Sequence, residues 1–412
     1  MRSLILSLVL LAAACSTAPV GVPGSASPAA TSTASAVRTA APTATPVTPA
    51  PVAAGGIEIF RTGQLHGTYV WVVAEESAPQ DRVTETVYAV PADGSRAQLV
   101  LRRLRPRGIP LFGGQTSGGI VLSRQLSLAG TKLALEWPTL GPAMADGFAV
   151  ADLAEGRIGQ IARGDAQTDL LPAWSPDGSR IAFARRKTTP GAPDDGVWVI
   201  NADGTGLRQV VEGSCCAQQT MIYGWTADGA GIAFAKTFEG ANYSIADAAS
   251  GAVSGPHGQA FGLAPASWRS TVPQFAAAFS QGDKGGEQRI DIAAGIGTVP
   301  VTVWHEASDL AAGIPLLLNA RWSPLADEIL FLHFARESRI ARVAVGGGPP
   351  TDIASVGNPT RAEWLPDGRI VYLSVTPGAG GAAHTTDGRT DTTIFSVPAG
   401  IILTDLAVRT YP

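Results

Sequence analysis

The chain has 412 residues, a formal net charge of −4 and only 16% charged residues. This balance argues against a nucleic-acid partner, because binding to phosphates takes clustered lysine and arginine. Hydrophobic residues make up 45% of the sequence, and glycine (48) and proline (30) are frequent. The composition predicts an all-β protein in which many short strands are joined by turns around a sizeable core.

The first 14 residues have the features of a secretory signal peptide. Arg2 supplies a positive charge, an apolar run extends from Leu4 to Leu11, and small residues lead to Cys15. The run is shorter than the about 20 residues that a membrane-spanning helix needs. Because it ends in cysteine, the segment resembles a bacterial lipobox, although Ala12 stands where that pattern usually has leucine. The resemblance implies that Cys15 becomes a lipidated N-terminus; a plain secretory signal is the alternative.

Residues 15–55 form a low-complexity segment rich in alanine, threonine, proline and serine, in which Arg38 is the only charge. Without aromatic residues or apolar periodicity, such a segment cannot offset its ordering entropy by packing. We expect a disordered tether here and a folded domain over residues 56–412. About 40 residues at about 3.1 Å each would span about 120 Å in polyproline form. A disordered tail without a role would have the same composition.

One motif recurs through the folded part. Its clearest copy, Trp174 to Phe183, reads Trp-Ser-Pro-Asp-Gly and continues into an alternating apolar strand. Proline presets the turn, aspartate caps it and glycine takes the positive φ angle. The tryptophans and turn residues of the copies are Trp174, Asp177, Gly178, Trp225, Asp228, Gly229, Trp268, Trp322, Trp364, Asp367 and Gly368. Weaker copies lie at Leu126 and after Gly63, and the copies are about 40 to 55 residues apart, the period of a four-stranded propeller blade.

Further along each copy, an Asp-Gly hairpin separates two more apolar stretches, as at Asp203 and Asp93. These residues resemble the WD40-like repeats of TolB-type propellers from about Ile57 onward. The resemblance implies a single β-propeller of four-stranded antiparallel blades, seven from the number of copies or six as in TolB. Residues 57–60 are expected to complete a blade with the strands around Ile394 and Ile401. A β-sandwich, or a pair of all-β domains, is the alternative fold.

The sequence offers little catalytic chemistry. The five histidines are scattered without the spacing that places two metal ligands on one face: His66, His257, His305, His333 and His384. Neither a nucleophile elbow nor a phosphate-binding glycine loop is present. The aspartates of the repeats are turn residues. We therefore expect no metal, no cofactor and a chain that is not an enzyme.

Cys215 and Cys216 are the only thiols left if Cys15 is lipidated. A disulfide between neighbours is strained, because adjacent Cα atoms lie about 3.8 Å apart and disulfides prefer about 4.4 to 6.8 Å. Such a bond would make a stiff apolar loop in an oxidising compartment. Two reduced or intermolecularly bridged cysteines are the alternative, and the sequence leaves both open.

In a propeller, the segments that lead into the innermost strands gather on one face, opposite the Ser-Pro-Asp-Gly turns. The cysteine loop leads into the strand of Trp225, so we expect it on that face near the central channel. Polar residues in comparable segments are candidate ligand contacts: Asp169, Gln218, Asn319, Arg321, Arg361 and Glu363. The alternative is that these residues satisfy one another around channel water.

Two functions from different classes follow from this sequence. The first is a non-catalytic binding or scaffold module, anchored to the membrane through Cys15 outside the cytoplasm, with an envelope protein or glycan as its partner. The second is an envelope lyase or hydrolase that acts on a glycan at the channel. Stoichiometric metal in the purified domain would favour the enzyme.

Overall fold

The computed structural model describes residues 52–54, 56–107, 119–137, 147–163, 167–187, 196–213, 219–237, 241–255, 267–268, 275–280, 287–293, 301–307, 317–334, 338–353, 355–376 and 378–412. These residues belong to one unit, Ala41–Pro412. They form 29 β-strands and one short helix. The strands make seven antiparallel sheets, numbered here from 1 to 7 in chain order. The proposed signal peptide and Cys15 lie outside the described residues.

Sheet 1 combines strands from both ends of the folded part. Its first five strands are β1 (Val52–Ala54), β2 (Ile57–Ile59), β3 (Gly67–Ala78), β4 (Arg82–Pro91) and β5 (Gln98–Pro106). The helix α1 (Leu122–Gln125) precedes sheet 2. Sheet 2 consists of β6 (Lys132–Trp137), β7 (Gly147–Asp152) and β8 (Arg157–Arg163).

Sheets 3 to 7 each contain four strands in chain order. Sheet 3 has β9 (Gln167–Trp174), β10 (Arg180–Lys187), β11 (Gly196–Asn201) and β12 (Arg208–Glu212). Sheet 4 has β13 (Gln219–Trp225), β14 (Gly231–Thr237), β15 (Ala241–Asp247) and β16 (Val253–Ser254). Sheet 5 has β17 (Ser267–Trp268), β18 (Phe275–Ser280), β19 (Glu287–Ala293) and β20 (Val301–Ala307).

The last two sheets complete the series. Sheet 6 has β21 (Leu317–Trp322), β22 (Glu328–Phe334), β23 (Ser338–Ala344) and β24 (Thr351–Ile353). Sheet 7 has β25 (Asn358–Trp364), β26 (Ile370–Thr376), β27 (Gly380–Thr386) and β28 (Asp391–Ser396). The final strand, β29 (Ile401–Tyr411), returns to sheet 1. The prediction of a β-propeller built from four-stranded antiparallel sheets is confirmed.

The ring closes through β29, which pairs with β3 along the whole register from Ile401–Glu76 to Tyr411–Gly67. The strand order of sheet 1 is β1-β2-β5-β4-β3-β29, so the last strand of the chain supplies one edge and the first strands supply the other. The expectation that β2 and β29 share a sheet is therefore correct. The stretch around Ile394 is different, because β28 is the outer strand of sheet 7. Closure of this kind protects sheet edges.

The recurring motif forms the turn between the first two strands of a sheet. Ser175 N donates to Arg180 O (2.9 Å), and Gly178 N donates to Ser175 O (2.9 Å), with Gly178 at φ +69°. Asp177 accepts hydrogen bonds from the hydroxyls of Ser175 and Ser179 and from Ser179 N, which lower the pKa of its carboxyl to about 2. The same backbone pair recurs at Thr226–Gly231 and at Ser127–Lys132. The weak copy at Leu126 is thus structurally equivalent.

Alternating side chains pack each sheet against both of its neighbours. In β10, Ile181 and Phe183 join the cluster shared with sheet 2, whereas Ala182 and Ala184 join the cluster shared with sheet 4. Strand β22 divides in the same way between sheets 5 and 7. A further cluster joins sheet 7 to sheet 1. Period-2 burial on both faces explains why these strands are apolar at nearly every position.

The repeat tryptophans tie neighbouring sheets together. Trp225 Nε1 donates to Ala173 O in sheet 3 (2.9 Å), and Trp364 Nε1 donates to Arg321 O in sheet 6 (3.2 Å). Each acceptor is the residue before the tryptophan of the preceding sheet, so the two bonds are made at equivalent positions of the repeat. The apolar ring fills the space between sheets while the N–H satisfies a backbone carbonyl. Each bond therefore fixes the relative position of two sheets.

Candidate binding site in the central channel

One edge strand of each sheet contacts the corresponding edge strand of a neighbouring sheet. Strand β9 contacts β13, β17 contacts β21, β21 contacts β25, and β25 contacts β29. These strands therefore form the inner edge of the ring and line its channel, as propeller geometry requires. In sheet 2, α1 and the following residue Leu126 take this place, and Leu126 makes a single bridge to Leu133.

Charged side chains join three consecutive inner strands. Arg321 of β21 donates through Nε to Glu363 Oε2 of β25 (2.6 Å), and the two side chains are 11% and 22% exposed. Arg361 of β25 pairs with Asp405 of β29, with 3.5 Å between Nε and Oδ1. The pairs link sheet 6 to sheet 7 and sheet 7 to sheet 1. Partly buried ion pairs of this kind hold charge in fixed positions.

Asp405 also connects the ring to α1. Its Oδ2 accepts a hydrogen bond from Leu122 N (2.7 Å), the first backbone N–H of the helix. Burial raises the pKa of the Asp405 carboxyl, and Arg361 and the Leu122 N–H lower it only in part. Deeper in the same region, Glu136 Oε1 accepts from Leu171 N of β9 (2.9 Å). Carboxylates thus satisfy backbone donors where regular strand pairing is interrupted.

Three of the six predicted contact residues are fully described, and the structure brings them together: Arg321, Arg361 and Glu363 lie on adjacent inner strands. Asp169 and Asn319 lie on the inner strands β9 and β21, but their side chains are outside the described part. Gln218, Cys215 and Cys216 lie outside it altogether, as does the side chain of Trp268. Their roles, including the vicinal disulfide, stay predictions.

Sequence reasoning missed four charged residues of this region: Arg124, Glu136, Asp405 and Arg409. The predicted contacts all lie in segments before a repeat tryptophan, whereas these four residues lie on α1, β6 and β29. Arg409 is held by backbone carbonyls, donating from Nε to Ser127 O (2.9 Å) and from Nη2 to Leu126 O (2.8 Å). The alternation of Asp405 and Arg409 within an apolar strand was the one signal available.

A Ser-His-Asp arrangement lies inside sheet 7. Ser374 Oγ is 2.9 Å from His384 Nε2, and His384 Nδ1 is 3.0 Å from Asp391 Oδ1. The Tyr372 ring stacks on the imidazole with centroids 4.8 Å apart, and its hydroxyl donates to Asp391. Burial raises the pKa of that Tyr372 hydroxyl. The order of the three groups matches that of a hydrolase triad. Whether the arrangement could be catalytic therefore depends on whether a substrate can reach the serine.

The serine is closed to substrate. Ser374 is 2% exposed in the middle of β26, and a Cβ added to Gly357 would lie 3.3 Å from its Oγ. A nucleophile needs space for a carbonyl carbon about 3 Å from its oxygen. The hydrogen bonds among Ser374, His384 and Asp391 instead hold β26, β27 and β28 together. Val356 N donates to the Tyr372 hydroxyl (2.7 Å), which in turn donates to Asp391.

We predict that Ser374→Ala lowers the free energy of unfolding by about 1–3 kcal/mol, because it leaves a buried imidazole nitrogen without a partner. Urea denaturation measures the change. Thr393→Ala is the matched control, since exposed Thr393 makes only a 3.3 Å contact to His384 Nδ1; we expect it to stay within about 0.5 kcal/mol. Covalent labelling of folded wild type by a fluorophosphonate, lost in Ser374→Ala, would contradict this structural role.

Among the described residues, no group of three or more His, Cys, Asp or Glu side chains is placed to hold a metal ion. None of the four described histidines lies on an inner strand. His66 precedes β3, His305 lies on β20, His333 on β22 and His384 on β27. Nor does any helix in this part of the chain have the length and apolarity to cross a bilayer.

Comparison with known proteins shows the fold. No family model and no curated protein matches the chain. Among solved structures, an oligogalacturonate lyase in complex with manganese is similar over 81% of this chain and 86% of its own, with 10% identity and a TM-score of 0.50. TolB from Acinetobacter baumannii is similar over 85% of this chain and 68% of its own, with 14% identity and a TM-score of 0.45. The β-propeller domain of the Trilobed protease from Pyrococcus furiosus is similar over 81% and 97%, with 12% identity and a TM-score of 0.46.

Proposed function

We propose that this chain is a lipid-anchored, extracytoplasmic β-propeller that binds an envelope protein or glycan without catalysing a reaction. The observation that carries the proposal is the chain of fixed charges on the inner strands, Arg321–Glu363 and Arg361–Asp405. Rigid strands hold these groups for polar recognition of a partner, which gives specificity at little entropic cost. The Cys15 motif and the low-complexity tether support a position at the membrane.

The membrane anchor has a direct test. Full-length chain expressed in bacteria is expected in the membrane fraction and labelled by an alkyne fatty acid, because a diacylglyceryl cysteine gives stable attachment. Cys15→Ser is expected to lose both the label and the membrane association. Cys216→Ser is the matched control and keeps both. Release of the wild type as a soluble, unlabelled protein would support a plain secretory signal and overturn the lipid anchor.

Partner binding is tested by affinity capture from envelope extract with the full chain as bait. Wild type is expected to enrich a defined protein or glycan, and Arg361→Glu is expected to weaken this enrichment about tenfold or more, since it reverses a charge beside Asp405. The control is Arg342→Glu, a charge reversal at an exposed arginine of β23, the third strand of sheet 6, which pairs with Glu328 of β22. Equal enrichment by all three baits would place the partner elsewhere. Repeated blank captures would overturn the binding role.

The alternative, a glycan lyase or hydrolase, needs catalytic groups at the channel. None of the described histidines lies on an inner strand, and this supports the binding role. Metal analysis of the purified full chain separates the two functions. Stoichiometric metal that is lost together with glycan cleavage after chelation would replace the proposed binding role.

A further inference from the structure

A cavity of about 190 Å³ lies between α1 and the inner strands of sheets 3 and 4. Leu126, Trp174, Tyr223 and Trp225 give it apolar walls, and Arg124 and Arg409 bring two guanidinium groups to it. It is smaller than the about 300–1,000 Å³ of pockets for drug-sized ligands. The space suits a small molecule or the end of a larger one.

Arg124 is an unusual residue to find there. It is 4% exposed, yet its only hydrogen bond to the described residues is a long one, from Nη1 to Ile222 O at 3.3 Å. Its Nε is buried and has no partner within the described part of the chain. Burial lowers the pKa of the guanidinium to about 10. A buried charge is costly unless an opposite charge and hydrogen bonds accompany it.

Trp174 brings a second donor without a partner. It is 7% exposed, and its Nε1 has no acceptor among the described residues, unlike Nε1 of Trp225 and Trp364. Arg409, by contrast, donates its guanidinium hydrogen bonds to the backbone carbonyls of Leu126, Ser127 and Val408. Two of the residues that line the cavity therefore each carry a buried donor that has no acceptor within the described part of the chain.

We propose that this cavity binds the carboxylate of a small ligand with an apolar body, paired with Arg124 and hydrogen-bonded to Trp174. Guanidinium and carboxylate match in geometry, and the aromatic walls cover the rest of the ligand. Glu136 and Asp405 also act on Arg124 electrostatically, which disfavours a ligand with more than one negative charge. This site does not depend on the proposed partner, since it is defined by its own lining residues and by donors that have no acceptor among the described residues.

Calorimetric titration of the purified full chain tests the site. The probes are monocarboxylates from propanoate to 3-phenylpropanoate, a peptide ending in a free phenylalanine carboxylate, and the corresponding amides. Carboxylates are expected to bind at least about tenfold more tightly than their amides, because a charge-assisted pair is lost in the amide. Tighter binding of the peptide identifies a chain terminus as the source; tighter binding of the free acids identifies a small metabolite. Equal binding of acids and amides, or no binding, overturns the proposal.

Variants locate the binding. Arg124→Gln is expected to weaken carboxylate binding about tenfold or more, and Trp174→Phe several-fold. Arg157→Gln, at an exposed arginine of β8, is the control and leaves affinity unchanged. The carboxylate is expected to raise the Tm of wild type and not that of Arg124→Gln. If Arg124→Gln does not fold, Trp174→Phe decides. Wild-type affinity in a folded Arg124→Gln, or in Trp174→Phe, would contradict the assignment.

Discussion

Replacing Glu85 with alanine is expected to lower the free energy of unfolding by about 3–5 kcal/mol, because it leaves the buried Arg103 guanidinium without its carboxylate and leaves Arg105 with Glu75 alone. Glu85 is 0% exposed in β4. Its Oε2 lies 2.5 Å from Arg103 Nε and its Oε1 lies 3.0 Å from Arg105 Nε. Oε1 also accepts from Ile120 N (3.1 Å), ahead of α1. One carboxylate thus stabilises sheet 1 and the segment that leads into sheet 2.

The matched control is Glu58→Ala in the same sheet. Glu58 and Arg102 are 41% and 47% exposed, and their nearest charged atoms are 3.9 Å apart. Exposed pairs contribute about 0–1 kcal/mol because water and salt screen them. Urea denaturation at neutral pH measures both variants against wild type. Similar losses for Glu85→Ala and Glu58→Ala would contradict the role assigned to the buried cluster.

The same cluster gives a pH dependence of known sign. Burial acts to raise the pKa of Glu85, but the combined effect of Arg103 and Arg105, which lower it, is larger. The pKa of Glu85 in the folded protein is therefore below the usual 4.5. A carboxyl whose pKa is lowered on folding stabilises the folded state fully above its unfolded pKa and loses that contribution as the pH falls through the folded pKa. Protonated Glu85 is chemically close to glutamine.

We therefore expect the stability difference between wild type and Glu85→Gln to be constant above about pH 5 and to shrink as the solution becomes more acid. Denaturation of both proteins from about pH 7 to about pH 3 measures it, and Glu58→Gln controls for general charge effects. A difference that widens on acidification would show that the folded pKa of Glu85 is raised, contrary to the arginine contacts.

The fold was predictable from the sequence because the turn chemistry repeats. Proline, aspartate and glycine after each tryptophan fix one turn, and the strand after it alternates between two buried faces. Sheet 1 was harder. Pairing between Gly67 and Tyr411 joins the two ends of the folded part, and no local pattern reports a contact over such a separation. Strand β29 also lacks the tryptophan that marks other inner strands.

The site was predictable only in part, for a related reason. Arg321 and Glu363 lie next to repeat tryptophans, so their position in the motif indicated the inner strands. Arg124 lies where a helical turn replaces an inner strand. The distance between copies of the repeat motif along the sequence gives no indication of this replacement. Ser374 and His384 are ten residues apart on paired strands, and only the register brings their side chains together.

The hydrogen bond and packing of Trp225 between sheets 3 and 4 lead to a second prediction of a large loss of stability. We expect Trp225→Ala to lower the free energy of unfolding by about 3–5 kcal/mol, because truncation leaves a cavity in the cluster between sheets 3 and 4. Trp225 is 5% exposed, and the Arg180 guanidinium lies 4.7 Å from its ring centroid. Trp225→Phe keeps most of the apolar contact but leaves Ala173 O without the indole donor. We expect it to cost about 1–3 kcal/mol.

Trp174→Phe is the matched control, since the two tryptophans occupy equivalent positions of the repeat and phenylalanine keeps an aromatic ring at both. Trp225 Nε1 donates to Ala173 O at 2.9 Å, whereas Trp174 Nε1 has no acceptor among the described residues. In ligand-free protein, Trp174→Phe is therefore expected to cost less than Trp225→Phe by about 1 kcal/mol or more. Chemical denaturation of the two variants measures this difference. Equal losses of stability would mean that the indole–carbonyl bond does not hold neighbouring sheets together. Packing of the aromatic side chains alone would then fix the relative position of the sheets.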